Sequence, residues 1–344
     1  MTLTDLEPGP ASGGYEGHLL DVSGLSVEFR TREGVARAVS NVSFTLDEGE
    51  TLAILGESGC GKSVTAQAIM GILDTPPGFV TAGSVVFRGT DLLKLPEDER
   101  RKYRGDRISM IFQDALSALN PVYTVGRQLG EMFTTHRGLS RSDAKAKAIE
   151  LMDEVRIPAA KERVNDYPHQ FSGGMRQRIM IAMALSLDPD IVIADEPTTA
   201  LDVTVQAQIM ELLAEQQAER NMGLILITHD LGVVADVADK ITVMYAGQVA
   251  EQSPIADLYA DPLHPYTRGL LNSIPRIDHK GEVLYAIKGL PPNLTKIPPG
   301  CSFAPRCEFA QDRCRSGEPP VLRTIEGERR AACHFTEELR HAAH

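Results

Sequence analysis

The sequence predicts an α/β domain built on a mainly parallel sheet, with an inserted helical subdomain and a small Cys-rich extension at the carboxy-terminal end. From Leu20 to about Ala260, short β-rich runs alternate with helical ones, the pattern of strands joined by crossover helices. Three of those runs, Thr51–Leu55, Ile191–Ala194 and Leu224–Thr228, are apolar throughout, as strands covered on both faces require. Beyond Asp261 the composition shifts. Residues Arg276–His344 hold seven of the 21 prolines and all four clustered cysteines, with 11 Lys/Arg against 9 Asp/Glu, a net +2 against −14 for the rest. The expected division is a flexible tail over 1–18, the main domain over 19–260 with its helical subdomain at about 114–172, and the extension over 261–344.

At 344 residues, with 42% hydrophobic and 24% charged content, the chain can bury a real core. Its net charge of −12 argues against a continuous basic surface, so nucleic acid is not an expected partner. The first Lys or Arg is Arg30, so the amino-terminal stretch lacks the basic region of a secretory signal. The longest apolar runs, such as Ile179–Leu185, fall far below the ~18–20 residues a spanning helix needs. Any role at a membrane must run through partner chains.

Taken along the chain, the first chemical motif is GESGCGKS, residues Gly56, Glu57, Ser58, Gly59, Cys60, Gly61, Lys62 and Ser63. It follows the strand Thr51–Leu55 and opens a helix expected over Lys62–Leu73, with Val64, Ala68, Ile69, Ile72 and Leu73 toward the core. The glycines let backbone N–H groups approach phosphate oxygens, and the helix start adds its positive dipole end. Lys62 would reach the β- and γ-phosphates and the Ser63 hydroxyl would bind Mg²⁺. Helical spacing of Ala144, Ala148, Leu151, Met152 and Val155 marks a helix over Ser142–Ile157. Ser172-Gly173-Gly174 then reads as an N-cap and two glycines before a helix with Ile179, Ala182, Met183 and Leu187 on one side, an anion-binding helix start. Asp195 and Glu196 emerge where the next apolar strand ends, Asp195 to hold Mg²⁺ and Glu196 to take a proton from attacking water. His229 ends a third apolar run at the same kind of position. That order of motifs implies an ATP-driven machine.

The same residues resemble the ATP-binding subunits of ABC transporters over roughly Leu20–Ala260, with Met175 standing where the signature motif normally has Gln. The resemblance implies two ATPs sandwiched between two such domains, so Ser172, Gly173 and Gly174 would bind the γ-phosphate held by a second ATPase subunit. It also implies that Gln113 senses Mg²⁺ and the γ-phosphate, that His229 contacts the γ-phosphate, and that Ala200-Leu201-Asp202 joins the two sites, Asp202 belonging to the ATP-binding set. The family stacks adenine on an aromatic residue upstream of the phosphate loop. Phe29 is the candidate, and the stretch Thr31–Ala38 blurs the alignment there.

Asp261–Leu271, followed by Ile274-Pro275 and the Cys-rich segment, resembles the extension of the oligopeptide/dipeptide importer ATPases, which nickel importers share. Cys301, Cys307, Cys314 and Cys333 are spaced C-x5-C-x6-C-x18-C. Four thiolates can hold zinc or an iron–sulfur cluster, and the lack of paired CxxC knuckles points to the cluster; free thiols and disulfides are the other readings. The resemblance implies a [4Fe–4S] cluster. The expected function is therefore a Mg²⁺- and ATP-dependent ATPase on the cytoplasmic face of the membrane. It would power import of di- and oligopeptides with a second ATPase subunit, two membrane-spanning permease subunits and, indirectly, an extracytoplasmic peptide-binding protein. The alternatives are a nickel or other small-solute importer ATPase and a soluble ABC ATPase acting on nucleic acid.

Overall fold

A computed structural model describes residues 17–114, 118–199, 201–274 and 286–341. The expected tail, apart from residues 17 and 18, lies outside the described residues, as do Ala200 and Pro275.

Two long strands, β1 (Leu20–Thr31) and β2 (Gly34–Leu46), precede β3 (Thr51–Leu55) and helix α1 (Lys62–Met70). Next come β4 (Gly78–Phe87), β5 (Thr90–Asp91) and β6 (Ile108–Ile111), then the helices α2 (Val125–Arg137), α3 (Arg141–Glu154) and α4 (Gly173–Leu185). The order continues with β7 (Ile191–Asp195), α5 (Val203–Arg220), β8 (Gly223–Thr228), β9 (Lys240–Tyr245), β10 (Gln248–Pro254), α6 (Pro265–Asn272), β11 (Arg323–Glu326) and β12 (Arg329–Ala331).

Among the described residues the strands make two sheets. A four-stranded one has the order β2-β1-β4-β5, and an eight-stranded one has the order β11-β12-β10-β9-β3-β8-β7-β6. In the larger sheet β9, β3, β8, β7 and β6 are parallel and buried on both faces, which explains the apolar runs of β3, β7 and β8. Register then does the functional work. Leu55 lies opposite Thr228, Asp195 opposite Ile227 and Ile111 opposite Ala194, so the segments after β3, β6, β7 and β8 leave the same edge together. Ligands of such sheets gather at that edge.

Helices α2, α3 and α4 pack through Leu129, Ala144, Ala148, Leu151, Met152 and Ile179 into the same core as β7 and β8. The helix expected over Ser142–Ile157 is α3, capped by the Ser140 side chain and closed by buried Val155. The phosphate-loop helix is shorter than its sequence pattern implied. It stops at Met70 because Gly71 takes a left-handed conformation, φ +64°, and both Ile72 and Leu73 fall beyond it. Val64, half-buried, packs against the core as expected and also lines a cavity, while Ala66 and Met70 join Ala68 and Ile69 in the core.

The carboxy-terminal segment, expected as a small Cys-rich extension, extends the main sheet. Strand β12 pairs antiparallel with β10 at Glu251↔Ala331 and with β11 on its other side, and Phe303 sits in the main core. The edge of β10 is thereby covered. Among the described residues no helix is long and apolar enough to cross a membrane.

Candidate active site

The phosphate loop occupies the turn between β3 and α1. Gly61, at φ +106°, is the N-cap of α1, and a Cβ there would run into the carbonyl oxygen of Ala38, so only glycine fits. Lys62 is buried and folds back over the loop, its Nζ donating to the carbonyls of Gly56 at 2.7 Å and Glu57 at 3.2 Å. Cys60 is buried, and burial pushes its thiol above the ordinary range. Its carbonyl accepts from Gly247 N–H at 2.9 Å. Loop residues from Gly56 to Ser63, without Cys60, line a cavity of about 790 Å³ with Phe29, Ala36, Ala38, Val64, Gln113, Glu196, His229, Leu270 and Leu294.

The acidic pair stands across the loop. Ser63 Oγ donates to Asp195 Oδ1 at 3.0 Å, and burial raises the Asp195 carboxyl above the usual carboxylate range despite that bond. Glu196 is the first residue past β7 and sits at φ +46°, a left-handed conformation uncommon for a side-chain-bearing residue and typical of functional turns. Its backbone N–H donates to Ile227 O at 2.8 Å, which ties the turn to β8. Its carboxylate is a hub. Oε2 accepts from Gln113 Nε2 at 2.8 Å and Thr199 Oγ1 at 2.9 Å, while Oε1 lies 3.3 Å from His229 Nδ1 and 4.0 Å from Lys62 Nζ. Lys62, Ser63, Gln113, Asp195, Glu196 and His229 thus come together around the loop. Thr199 was missed. Its only sequence signal is a hydroxyl three residues after the acid, too common to single out.

Ser172, Gly173, Gly174 and Asp202 do not line this cavity. The exposed Ser172 side chain accepts from Met175 N–H as the cap of α4, and the exposed Asp202 carboxylate accepts from Val205 N–H at 3.0 Å as the cap of α5. Gly174 packs so closely on Val205 that a Cβ would collide with it. The Met175 sulfur meets Arg163 Nη1 at 3.3 Å. The side chain of Glu57, placed in the ATP-binding set, is also bonded elsewhere: its carboxylate pairs with Arg306.

Cys301, Cys307, Cys314 and Cys333 line one small pocket with Phe303 and Phe335, and none is in a disulfide. The N–H of Cys301 donates to Cys314 O at 2.9 Å, joining two of the thiol-bearing segments. Burial pushes the Cys301 thiol up to about 11 and the Cys307 thiol up to about 12, and it raises Cys333 as well. Among the described residues no group of three or more His, Cys, Asp or Glu side chains is set to hold a metal ion.

Residues 39–199 match the family model described as ABC transporter, and residues 250–314 match that of the oligopeptide/dipeptide transporter C-terminal region. The Dipeptide transport ATP-binding protein DppD of Bacillus subtilis is 55% identical over 84% of this chain and 86% of its own length. This chain belongs to the ABC transporter ATP-binding family. A second relative, the Oligopeptide transport ATP-binding protein OppD of Escherichia coli, is 50% identical over 93% of this chain and 94% of its own. Among solved structures, the dimeric post-hydrolysis state of the ATP-binding cassette MJ0796 bound to ADP and Pi is similar, with a TM-score of 0.62 and 28% identity. It covers 69% of this chain and 98% of that one. The fold is the family's α/β cassette, and the chain is an ABC-type ATPase whose expected ligands are ATP and Mg²⁺.

Proposed function

We propose that this chain hydrolyses ATP to power import of di- and oligopeptides across the cytoplasmic membrane. The observation that carries the reading is one cavity joining phosphate loop, Glu196 and His229, with Asp195 bonded to the lining Ser63, in a chain whose carboxy-terminal segment matches the oligopeptide/dipeptide transporter model. The loop amides and Lys62 hold the phosphates, and the helix start of α1 adds its dipole. Ser63 and Asp195, already in contact, and Gln113, which lines the same cavity as Ser63, offer the oxygen donors that Mg²⁺ prefers. Glu196 takes the proton of the attacking water and His229 orients the γ-phosphate.

Ser172, Gly173, Gly174 and Asp202 complete the site of a second ATPase subunit in trans. The exposure of Ser172, Gly173 and Asp202 away from this chain's own cavity supports that role, and so does the dimeric state of the similar MJ0796 cassette. Two permease subunits carry the passage, a binding protein delivers peptide, and this chain sits on the cytoplasmic face. Reconstitution with the permeases tests the reading. Di- and oligopeptides delivered by the binding protein should stimulate ATPase activity, and stimulation by Ni²⁺ with no response to peptides would replace it.

A [4Fe–4S] cluster on the four cysteines of that pocket would act as a structural staple, since a Pro-rich segment of this size gains folding energy from a metal centre, but the thiols as placed form no metal-binding group. Anaerobically purified protein should be brown, absorb broadly near about 400 nm and carry about four irons per chain. Colourless protein with stoichiometric zinc would overturn the cluster.

A further inference from the structure

We propose that Arg306 is the positioning residue through which the carboxy-terminal segment sets the affinity of the phosphate loop for ATP, an inference that rests on the nucleotide site proposed above. The observation is how firmly Glu57, second residue of the loop, is held from outside the loop. Its carboxylate receives both terminal nitrogens of Arg306, at 2.6 and 2.9 Å, a bidentate pair spanning 249 positions of sequence. Its backbone N–H donates to the Tyr266 hydroxyl at 3.0 Å. Its carbonyl accepts Lys62 Nζ at 3.2 Å, so whatever holds Glu57 also holds the anchor of the phosphate-binding lysine.

Arg306 is itself rigidly placed. Its side chain is 5% exposed against 26% for Glu57, so the pair is largely withdrawn from screening solvent. The third guanidinium nitrogen, Nε, donates to Lys288 O at 3.0 Å, and Nη1 lies 3.4 Å from the Tyr245 hydroxyl. The backbone N–H of Arg306 closes a turn onto Phe303 O at 2.9 Å, and the Phe303 ring packs edge-on to Tyr245 and against Tyr266. Breaking such a pair leaves a charge buried without its partner, so the loop would shift to rehydrate it. A loop that must be re-formed on binding loses affinity, whereas one held in place binds without that ordering cost. The same segment reaches the cavity a second time, because Leu294 lines it while its carbonyl accepts from Arg37 N–H at 3.2 Å.

The test is MgATP affinity by calorimetry on the full chain, in a Glu196→Gln background so that nucleotide persists. Arg306→Met should weaken binding about tenfold, which corresponds to about 1.4 kcal/mol. Glu57→Gln, nearly isosteric, should weaken it comparably, and the double variant should be no worse than the poorer single one, as a shared pair requires. Arg306→Lys, which keeps the charge but not the fork, should recover part of the loss. In the assembled ATPase, with Glu196 restored, Arg306→Met should raise KM for ATP with kcat within about twofold, a split that general unfolding does not give. Wild-type affinity in both single variants, additive losses, or a fall in kcat at unchanged KM would each overturn the proposal. Should Arg306→Met fail to fold, Glu57→Gln decides alone, and unchanged affinity there overturns it. Lys62→Ala separates the two levels: if it too binds MgATP normally, the nucleotide site itself is wrong.

Discussion

On the phosphate-loop face Lys62, Ser63, Asp195 and Glu196 each touch a polar partner inside the chain, whereas on the signature face Ser172 and Asp202 are exposed and only cap their own helices. The difference follows from charge and burial. Lys62 and Asp195 are buried, and a buried ion needs hydrogen-bonding or charged neighbours to offset its lost hydration. The first face therefore has to be assembled within the chain. The signature face offers Ser, Gly, Gly and the N–H groups of a helix start, which water can satisfy, so the trans role proposed for it needs no partner inside this chain. Such a face can await a second subunit at little cost.

The sharpest way to break this contrast is Glu196→Gln, which should keep MgATP binding, because Lys62 and the loop amides are intact, yet slow turnover at least ~100-fold in the assembled transporter. Unchanged turnover would remove Glu196 from catalysis and the first face from its role. Ser172→Ala probes the other face. It should leave MgATP affinity of the isolated chain unchanged while lowering assembled ATPase activity about tenfold, one lost donor to the γ-phosphate. A lower affinity in demonstrably monomeric protein would place Ser172 in its own chain's site. Isolated chain should accordingly be a poor ATPase whose specific activity rises with protein concentration and with added partner subunits. Thr199→Val removes one of the two hydrogen bonds to Glu196 Oε2 and should cost roughly threefold in kcat, about one ordinary hydrogen bond's worth or less. Loss as large as that of Glu196→Gln would make Thr199 more than an orienting group. The smallest effect concerns pH. Burial raises the Asp195 carboxyl, so a proton competes with Mg²⁺ there and MgATP affinity should weaken on acidification at a higher pH than for an exposed aspartate. Titration of ATP affinity with and without Mg²⁺ isolates the effect, and equal pH profiles would contradict it.

Strand positions on the phosphate-loop face were legible because they are buried on both sides, which leaves an unbroken apolar run that ends in the functional residue. Ser172 was legible as a cap for a similarly local reason. Helix α1 was drawn too long because Ile72 and Leu73 keep helical spacing, while the left-handed Gly71 that ends the helix is a single backbone choice no periodicity records. Val64 follows that pattern and packs against the core, and only the structure shows that it also borders the cavity.

Local chemistry in the sequence determined the cassette, its phosphate loop, its acidic pair and the Ser172 helix cap, since turn glycines, caps and apolar runs act within a few residues of themselves. Pairings across long sequence distances were decided by the tertiary structure alone. Strand β12 closing the edge of β10 and Arg306 gripping Glu57 each depend on where register and packing bring two segments, and the identity of either residue says nothing of the other.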